Sequence, residues 1–428
     1  MSEENKSGFV EQVALEQVPA DQRRSWFSIA LIWAGAVISV PSLMVGGAIV
    51  SGMPLGPGIA AGILGYLIVV LFMTFQGMQG SDLGRPTVIN AASAFGEKGS
   101  SFIISLILGV AVMGWFGVQT AVTGASFSGF MGQLGVSVPV WLSSLIWGII
   151  MLTTAILGYK ALAYLNYIAV PALILLAVYG TTMALKQFGL EALASHNPAG
   201  SMTFFQAVAI SVGGFAVGGV IAGDYSRYAK DRKGSILSSI FGVLPVGIAL
   251  LVAGSIMSVV AGTYDITQVV STLGFPVLGF LILILATWTT NAVNAYSGGL
   301  AITNMLKLDG NKRAMATAVA GGIGTILAIS GIINYFISFL VVLTAGITPI
   351  AGVMIADYWI MNKGDAKKWK PVPGVNWAGI ISWLCGTLVG LFVKWGSQAI
   401  NAIIISAILY LILSKVMGPK DAASGTKA

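Results

Sequence analysis

Apolar runs of about twenty residues recur from one end of this chain to the other, and charged side chains fall almost entirely between them. The runs lie near 26–50, 58–77, 101–131, 138–157, 164–185, 203–223, 236–262, 276–300, 315–332, 334–359, 377–396 and 399–416. A helix that crosses a bilayer needs about 20 predominantly apolar residues, so the expected fold is an all-α polytopic membrane protein with twelve transmembrane helices. The ninth and tenth runs meet at "SGIINYF" with almost no loop. With 56% hydrophobic and 9% charged residues in 428, and a mean hydropathy of +0.89, the apolar surface exceeds what a water-soluble fold of this length buries. No connecting stretch is long enough for a soluble domain. One membrane domain at 26–416 is therefore expected between tails at 1–25 and 417–428.

The opening "MSEENKSGFVEQVALEQVPADQRRSW" is polar and lacks the apolar core of a signal peptide, which reads as a cytoplasmic tail. With that end inside, twenty of the 22 Lys and Arg residues fall on inner segments, and only Lys186 and Lys394 fall outside. This asymmetry predicts a multi-pass protein of the cell membrane with both termini cytoplasmic. It also accounts for the net charge of +7 without a nucleic-acid partner. The single cysteine, Cys385, excludes an internal disulfide. The single histidine, His196, lies in the outer loop "EALASHNPAG". These counts argue against a His-based triad or a structural metal cluster, and hence against an enzyme or a tightly bound cofactor. No obligate protein partner is evident.

Backbone polar groups at membrane depth survive only where protein or water satisfies them, so helix breaks are informative. The first span carries Pro41 in "GAVISVPSLMVGG". The sixth carries "SVGGFAVGGVIAG", five glycines in thirteen residues, and the tenth carries "TAGITPIAG". Small residues also serve close packing, which suffices for the tenth. The first and sixth occupy equivalent positions if twelve helices divide as five plus five plus two. Matched interruptions of that kind mark an inverted-repeat transporter and its binding site. The repeats would cover about 26–185 and 203–359, with helices eleven and twelve at 377–416.

The eighth span ends its apolar run in "TWTTNAVN". Thr287, Asn291 and Asn294 share a helical face, and Thr289 and Thr290 turn to neighbouring directions. A threonine in a membrane helix often bonds only its own helix's carbonyls. Two adjacent hydroxyls opposite the break in span one read instead as hard ligands for a small cation. Carbonyls of Gly35, Ile38 and Ala286 would complete an oxygen shell suited to an alkali ion. In span three, Trp115 and Gln119 stack on one face, and Phe215 stands among the glycines of span six beside Gly214. Two aromatic planes with the amides of Gln119 and Asn291 describe a slot for a flat heterocycle. Base–aromatic stacking there is worth about 1–3 kcal/mol. The alternative makes Trp115 a core residue and Gln119 interhelical glue worth roughly 1 kcal/mol. No charged residue lies near the centre of any span, which favours sodium over a proton as coupling ion. Asp224 and Asp357 sit at inner span ends, as anchors or gate contacts.

On these residues the chain resembles the nucleobase–cation symporter family, which holds cytosine permeases, purine and allantoin carriers and a hydantoin transporter. The matching blocks are "RRSWFSIALIWAG", "GWFGV", "WTTN", "TPIAG" and "GVMIADYW", and the similarity runs over nearly the whole chain. The resemblance implies a LeuT-type fold of two inverted five-helix repeats and uptake driven by sodium or protons. The base would lie between spans one, three, six and eight. It also implies that Trp115 and Phe215 stack on the ring and that Asn291 contacts it. By the same likeness Thr289, Thr290, Gly35, Ile38 and Ala286 form the sodium site. Asn294 and Gly214 are counted with the substrate residues. Two positions depart from cytosine permeases: Val112 replaces a glutamine and Val217 a serine, while Gln119 is similar to the hydantoin carrier's arrangement. The expected function is import of a nucleobase, cytosine foremost, by cation symport. The alternatives are a purine, allantoin, hydantoin or hydroxymethylpyrimidine-type ring. From other classes, they are a non-transporting sensor and a passive channel.

Overall fold

The computed structural model describes residues 17–157, 159–198, 200–309 and 312–417. The expected N-terminal tail is described only from residue 17, and residues 418–428 of the C-terminal one lie outside. The major helices are α1 (Trp26–Val37), α2 (Val40–Val50), α3 (Leu55–Leu83), α4 (Glu97–Gln133), α5 (Val140–Leu157), α6 (Tyr159–Ala194), α7 (Phe204–Val220), α8 (Arg232–Ala261), α9 (Pro276–Leu306), α10 (Arg313–Ile329), α11 (Phe336–Ile355), α12 (Trp377–Phe392) and α13 (Gln398–Met417). Among the described residues seven helical segments, on α3, α4, α6, α8, α9, α11 and α13, are long and apolar enough to cross a membrane. The bent pair α1 and α2 makes an eighth span, and α5, α7, α10 and α12 are shorter apolar helices. The chain is thus a multi-pass membrane protein.

Local signals set several helix ends. Ser25 caps α1 by accepting from the Ser28 N–H, and Asp231 caps α8 by accepting from that of Gly234. Thr203 and Gln206 close a capping box on α7, satisfying two otherwise orphaned donors. Gly84 ends α3 at φ 63°, a conformation that favours glycine.

The helices pack in two groups. One comprises α1, α2, α3, α7 and α8, with α8 touching both halves of the bent pair and α3, and α7 packing on α3. The other comprises α4, α5, α9 and α10, in which α4 and α9 share the longest seam. Helix α6 leans on α8 and α9, and α11 packs on α7, α12 and α13. Where the groups meet, α2 touches α9.

One expectation about breaks needs correction. The glycine-rich sixth span is not broken at its glycines: α7 runs unbroken from Phe204 to Val220, and the turn comes at Ile221, before a short helix at Ala222–Ser226. Its glycines allow close approach instead. A side chain at Gly213 would collide with the Leu340 carbonyl of α11, and one at Gly214 would come within 2.9 Å of Val45 on α2. Helix α11 likewise continues through Gly346 and Pro349, and the Gly346 carbonyl accepts from Trp383 Nε1 at 2.8 Å. The ninth and tenth spans are separated by a 3-10 turn at Ile332–Tyr335.

Polar side chains tie one end of the helix bundle together. Asp82 receives a bidentate ion pair from Arg232 and a 2.7 Å hydrogen bond from Tyr358. Asp357 accepts from Ser93 at 2.6 Å and Tyr410 at 2.8 Å. Asp224 accepts from the Thr87 N–H at 2.6 Å. Burial pushes the Asp224 carboxyl above its ordinary range, opposed by the Thr87 hydrogen bonds and Arg227. Both aspartates of the Asp-Tyr pairs thus fasten helix ends.

Candidate functional site

The site begins at the interruption between α1 and α2, where the chain turns through 60°. Its cause is local. Pro41 stands in the first turn of α2 and has no N–H to donate to the Val37 carbonyl four residues back. Ser42 Oγ takes over and donates to that carbonyl at 2.6 Å. Ser39 is extended at φ −147°, ψ 156°, and the Ile38 N–H closes α1 on Ala34 O at 3.0 Å. No hydrogen bond from the described residues reaches the carbonyls of Gly35 and Ile38. Gly35 is exposed, and no atom lies within 4 Å of where its Cβ would stand. Two strong acceptors are therefore left open within an apolar helix pair.

On α9 the three remaining expected cation ligands converge. Thr289 Oγ1 donates to Ala286 O at 3.1 Å, and Thr290 Oγ1 donates to the same carbonyl at 2.9 Å. Each hydroxyl spends its one proton on its own helix, as the structural alternative requires. It keeps its lone pairs free, and those are what a cation uses. Among the described residues no group of three or more His, Cys, Asp or Glu side chains offers a metal site, and the five oxygens named for the cation are carbonyls and hydroxyls.

The polar face formed by Thr287, Asn291 and Asn294 turns toward α4. Thr287 Oγ1 lies 2.6 Å from Thr123 Oγ1. Asn291 is fully buried, and its amide donates to Phe116 O at 3.0 Å and Thr120 Oγ1 at 2.9 Å, with Met151 Sδ of α5 at 3.3 Å. Its carbonyl accepts from the half-buried Asn294 at 3.2 Å. In this arrangement Asn291 is a strut across α4, α5 and α9, and Asn294 is the exposed end of the pair.

The aromatic planes fall in different helix groups. Trp115, half-buried on α4, meets Phe336 and Phe339 of α11 edge-on at 6.2 and 5.2 Å between ring centroids. Phe215, half-buried on α7, lies over Gly218 and edge-on to Trp33 at 6.1 Å. The two rings do not touch: Trp115 is braced by α11, and Phe215 by α1 of its own group. Gln119 is buried one turn from Trp115, and its Oε1 has no hydrogen-bond partner. An orphaned buried amide oxygen costs about 1–3 kcal/mol, which a ligand N–H would recover.

Several residues that shape the site were not singled out from sequence. Trp33 is buried between Phe215 and Tyr225, and its indole N–H lacks an acceptor. Phe336 and Phe339 seat Trp115, and Thr120 and Met151 hold Asn291. The nearness of Trp33 to Gly35 and of Thr120 to Gln119 in sequence was the available signal. Nothing local marked Phe336 or Met151, which arrive from distant helices.

Comparison with known proteins accords with this geometry. The family described as permease for cytosine/purines, uracil, thiamine, allantoin matches residues 17–412. The cytosine permease of Escherichia coli (strain K12) is 29% identical over 412 residues, covering 96% of each chain. The hydantoin permease of Microbacterium maritypicum is 25% identical over 394 residues, covering 83% of this chain and 78% of that one. In three dimensions the chain is similar to Mhp1 in an inward facing conformation, with a TM-score of 0.82 at 23% identity over 94% of this chain and 93% of that one. It is also similar to Mhp1 in a closed conformation with bromovinylhydantoin bound, with a TM-score of 0.76 at 21% identity over 96% and 97%.

Proposed function

The chain belongs to the family of permeases for cytosine/purines, uracil, thiamine and allantoin, transporters rather than enzymes, and from that premise we propose that it imports a nucleobase, cytosine foremost, by sodium symport. The observation that carries this reading is the pair of open carbonyls at Gly35 and Ile38, together with three clustered oxygens at Ala286, Thr289 and Thr290 on α9, a helix that α2 touches. A sodium ion held by these five groups would join α1 of one helix group to α9 of the other. Its arrival would thus favour one relative position of the groups, which is what coupling by alternating access requires.

The ring would lie between Trp115 and Phe215, with the Gln119 carbonyl accepting from a ring N–H. Asn294 would reach it directly or through Asn291, and Gly214 would leave room beside it. The aromatics belong to different groups, so a flat substrate would draw them together. The division of helices supports a five-plus-five inverted repeat with two added helices. In it, spans one, two, six and seven form the first group, and three, four, eight and nine the second. The repeats run about 26–185 and 203–359, within one domain at 26–416. We place the protein in the cell membrane with both termini cytoplasmic, because with the amino terminus inside twenty of the 22 Lys and Arg residues fall on inner segments.

Counterflow in proteoliposomes tests the reading. Labelled cytosine should exchange against unlabelled cytosine, and sodium should stimulate the exchange. Of the competing rings, hydantoin, allantoin, uracil, adenine and hydroxymethylpyrimidine should displace it less well. Sodium-independent flux that never concentrates cytosine would identify a channel. Saturable binding without flux would identify a sensor.

A further inference from the structure

About 20 Å inward of the proposed substrate slot lies a cavity of about 770 Å³ lined by Arg85, Glu97, Ser101, Asn304, Lys307 and Trp369, among others. The separation follows from helix rise: on α9, Thr303 of the cavity lies twelve residues beyond Asn291, about 18 Å at 1.5 Å per residue. Its walls come from different bodies. Ser101 and Glu97 stand on α4, and Asn304 and Lys307 at the inner end of α9. Arg85 precedes the Thr87–Asn90 turn, which Asp224 fastens to the first group.

The chemistry of the lining is specific. The Arg85 guanidinium lies over the Trp369 ring, 5.2 Å from its centroid, and Trp369 is itself fixed by Nε1 donating to Asn90 O at 3.1 Å. This stack holds the planar fork in one orientation, the form in which arginine recognises phosphate. Lys307 ends α9 at φ 51° and is exposed, and no ion pair engages either cation among the described residues. Among the described lining residues Glu97 is the one carboxylate, against the two cations Arg85 and Lys307. Phe102 and Leu306, the neighbours of Ser101 and Lys307, are 51% and 58% exposed. An apolar surface thus continues from the rim of a basic pocket at the inner end of the membrane domain. Basic pockets between membrane helices on this side bind lipid headgroups.

We propose that this cavity is a phosphate site, with Arg85 and Lys307 as its two cationic contacts. The shared chemistry is a phosphate ester, supplied either by an anionic phospholipid headgroup or by a soluble phosphate. Because its walls belong to separate helix groups, a ligand here holds the position in which the pocket is open.

Thermal unfolding of the purified full chain reads this directly, since a ligand bound only to the folded protein raises the midpoint with concentration. Phosphatidylglycerol nanodiscs are compared with phosphatidylcholine nanodiscs, and inorganic phosphate is titrated separately. Saturable stabilisation by phosphatidylglycerol alone assigns the headgroup, and stabilisation by inorganic phosphate assigns the soluble ester. In either case Arg85→Gln and Lys307→Gln should each weaken binding about tenfold, the loss of one charge-assisted contact, and Glu97→Gln should strengthen it. Lys307 has no side-chain partner to lose, so its variant carries the test even if Arg85→Gln perturbs the fold. No stabilisation of the parent by either ligand, or unchanged affinity in Lys307→Gln, overturns the proposal. The readout involves no transport, so its failure leaves the nucleobase assignment untouched.

Discussion

The first and sixth spans look alike in sequence and differ in structure. Both carry several glycines, yet the first bends by 60° and the sixth runs unbroken through four of its five. The difference lies in hydrogen bonds. Pro41 withholds a donor that the helix needs, and Ser42 supplies a substitute, so the interruption is stable and leaves two carbonyls open. The sixth span loses no donor. Its missing side chains are used by neighbours, with Leu340, Val45 and Phe72 occupying the space where Cβ atoms would stand. Glycine permits a break but does not make one; a removed donor with a replacement nearby does.

The contrast can be broken from either side. The largest effect should come from the sixth span: Gly213→Leu drives a side chain into the α11 backbone, a clash with no route to relax. No monodisperse folded protein is expected on size-exclusion chromatography, and normal folding would refute the packing role. Next, Trp115→Ala should weaken substrate binding by about tenfold to a hundredfold, the worth of one stacking face. Trp115→Phe should recover part of this in equilibrium binding, and unchanged affinity would remove Trp115 from the slot. Thr290→Ala takes one oxygen from the shell opposite the break. It should raise the sodium concentration for half-maximal stimulation about tenfold while leaving substrate affinity at saturating sodium nearly unchanged; equal sodium dependence in variant and parent would sink the cation assignment. The smallest effect belongs to Ser42→Ala, which leaves the Val37 carbonyl unsatisfied at a cost of about 1 kcal/mol. It should appear as a modest drop in thermal stability with a weaker sodium response.

Much of the architecture was readable because its signals are local. Bilayer thickness makes apolar run length a direct report of spans. The break at Pro41 was readable for the same reason, since an imino acid acts on the residue four positions before it. The pairing of Thr289 with Thr290 and their approach to Ala286 also follow from helix geometry alone. The direction of Asn291 did not. Its place on a polar face was plain, but whether that face meets α4 or open space depends on Phe116, Thr120 and Met151, up to 175 residues away in sequence. The seats of the two aromatics were hidden likewise, because Phe339 and Trp33 reach them from helices far away in sequence.

By itself the sequence determined an all-helical membrane chain, the place of the break at Pro41, and the oxygen-bearing turn at Ala286–Thr290, all consequences of covalent geometry and the solvent the chain must match. Tertiary structure decided which glycines pack, which amides became struts, and which pocket formed between the groups. Those outcomes depend on which surfaces meet, and spacing along one helix carries no information about the helix that will face it.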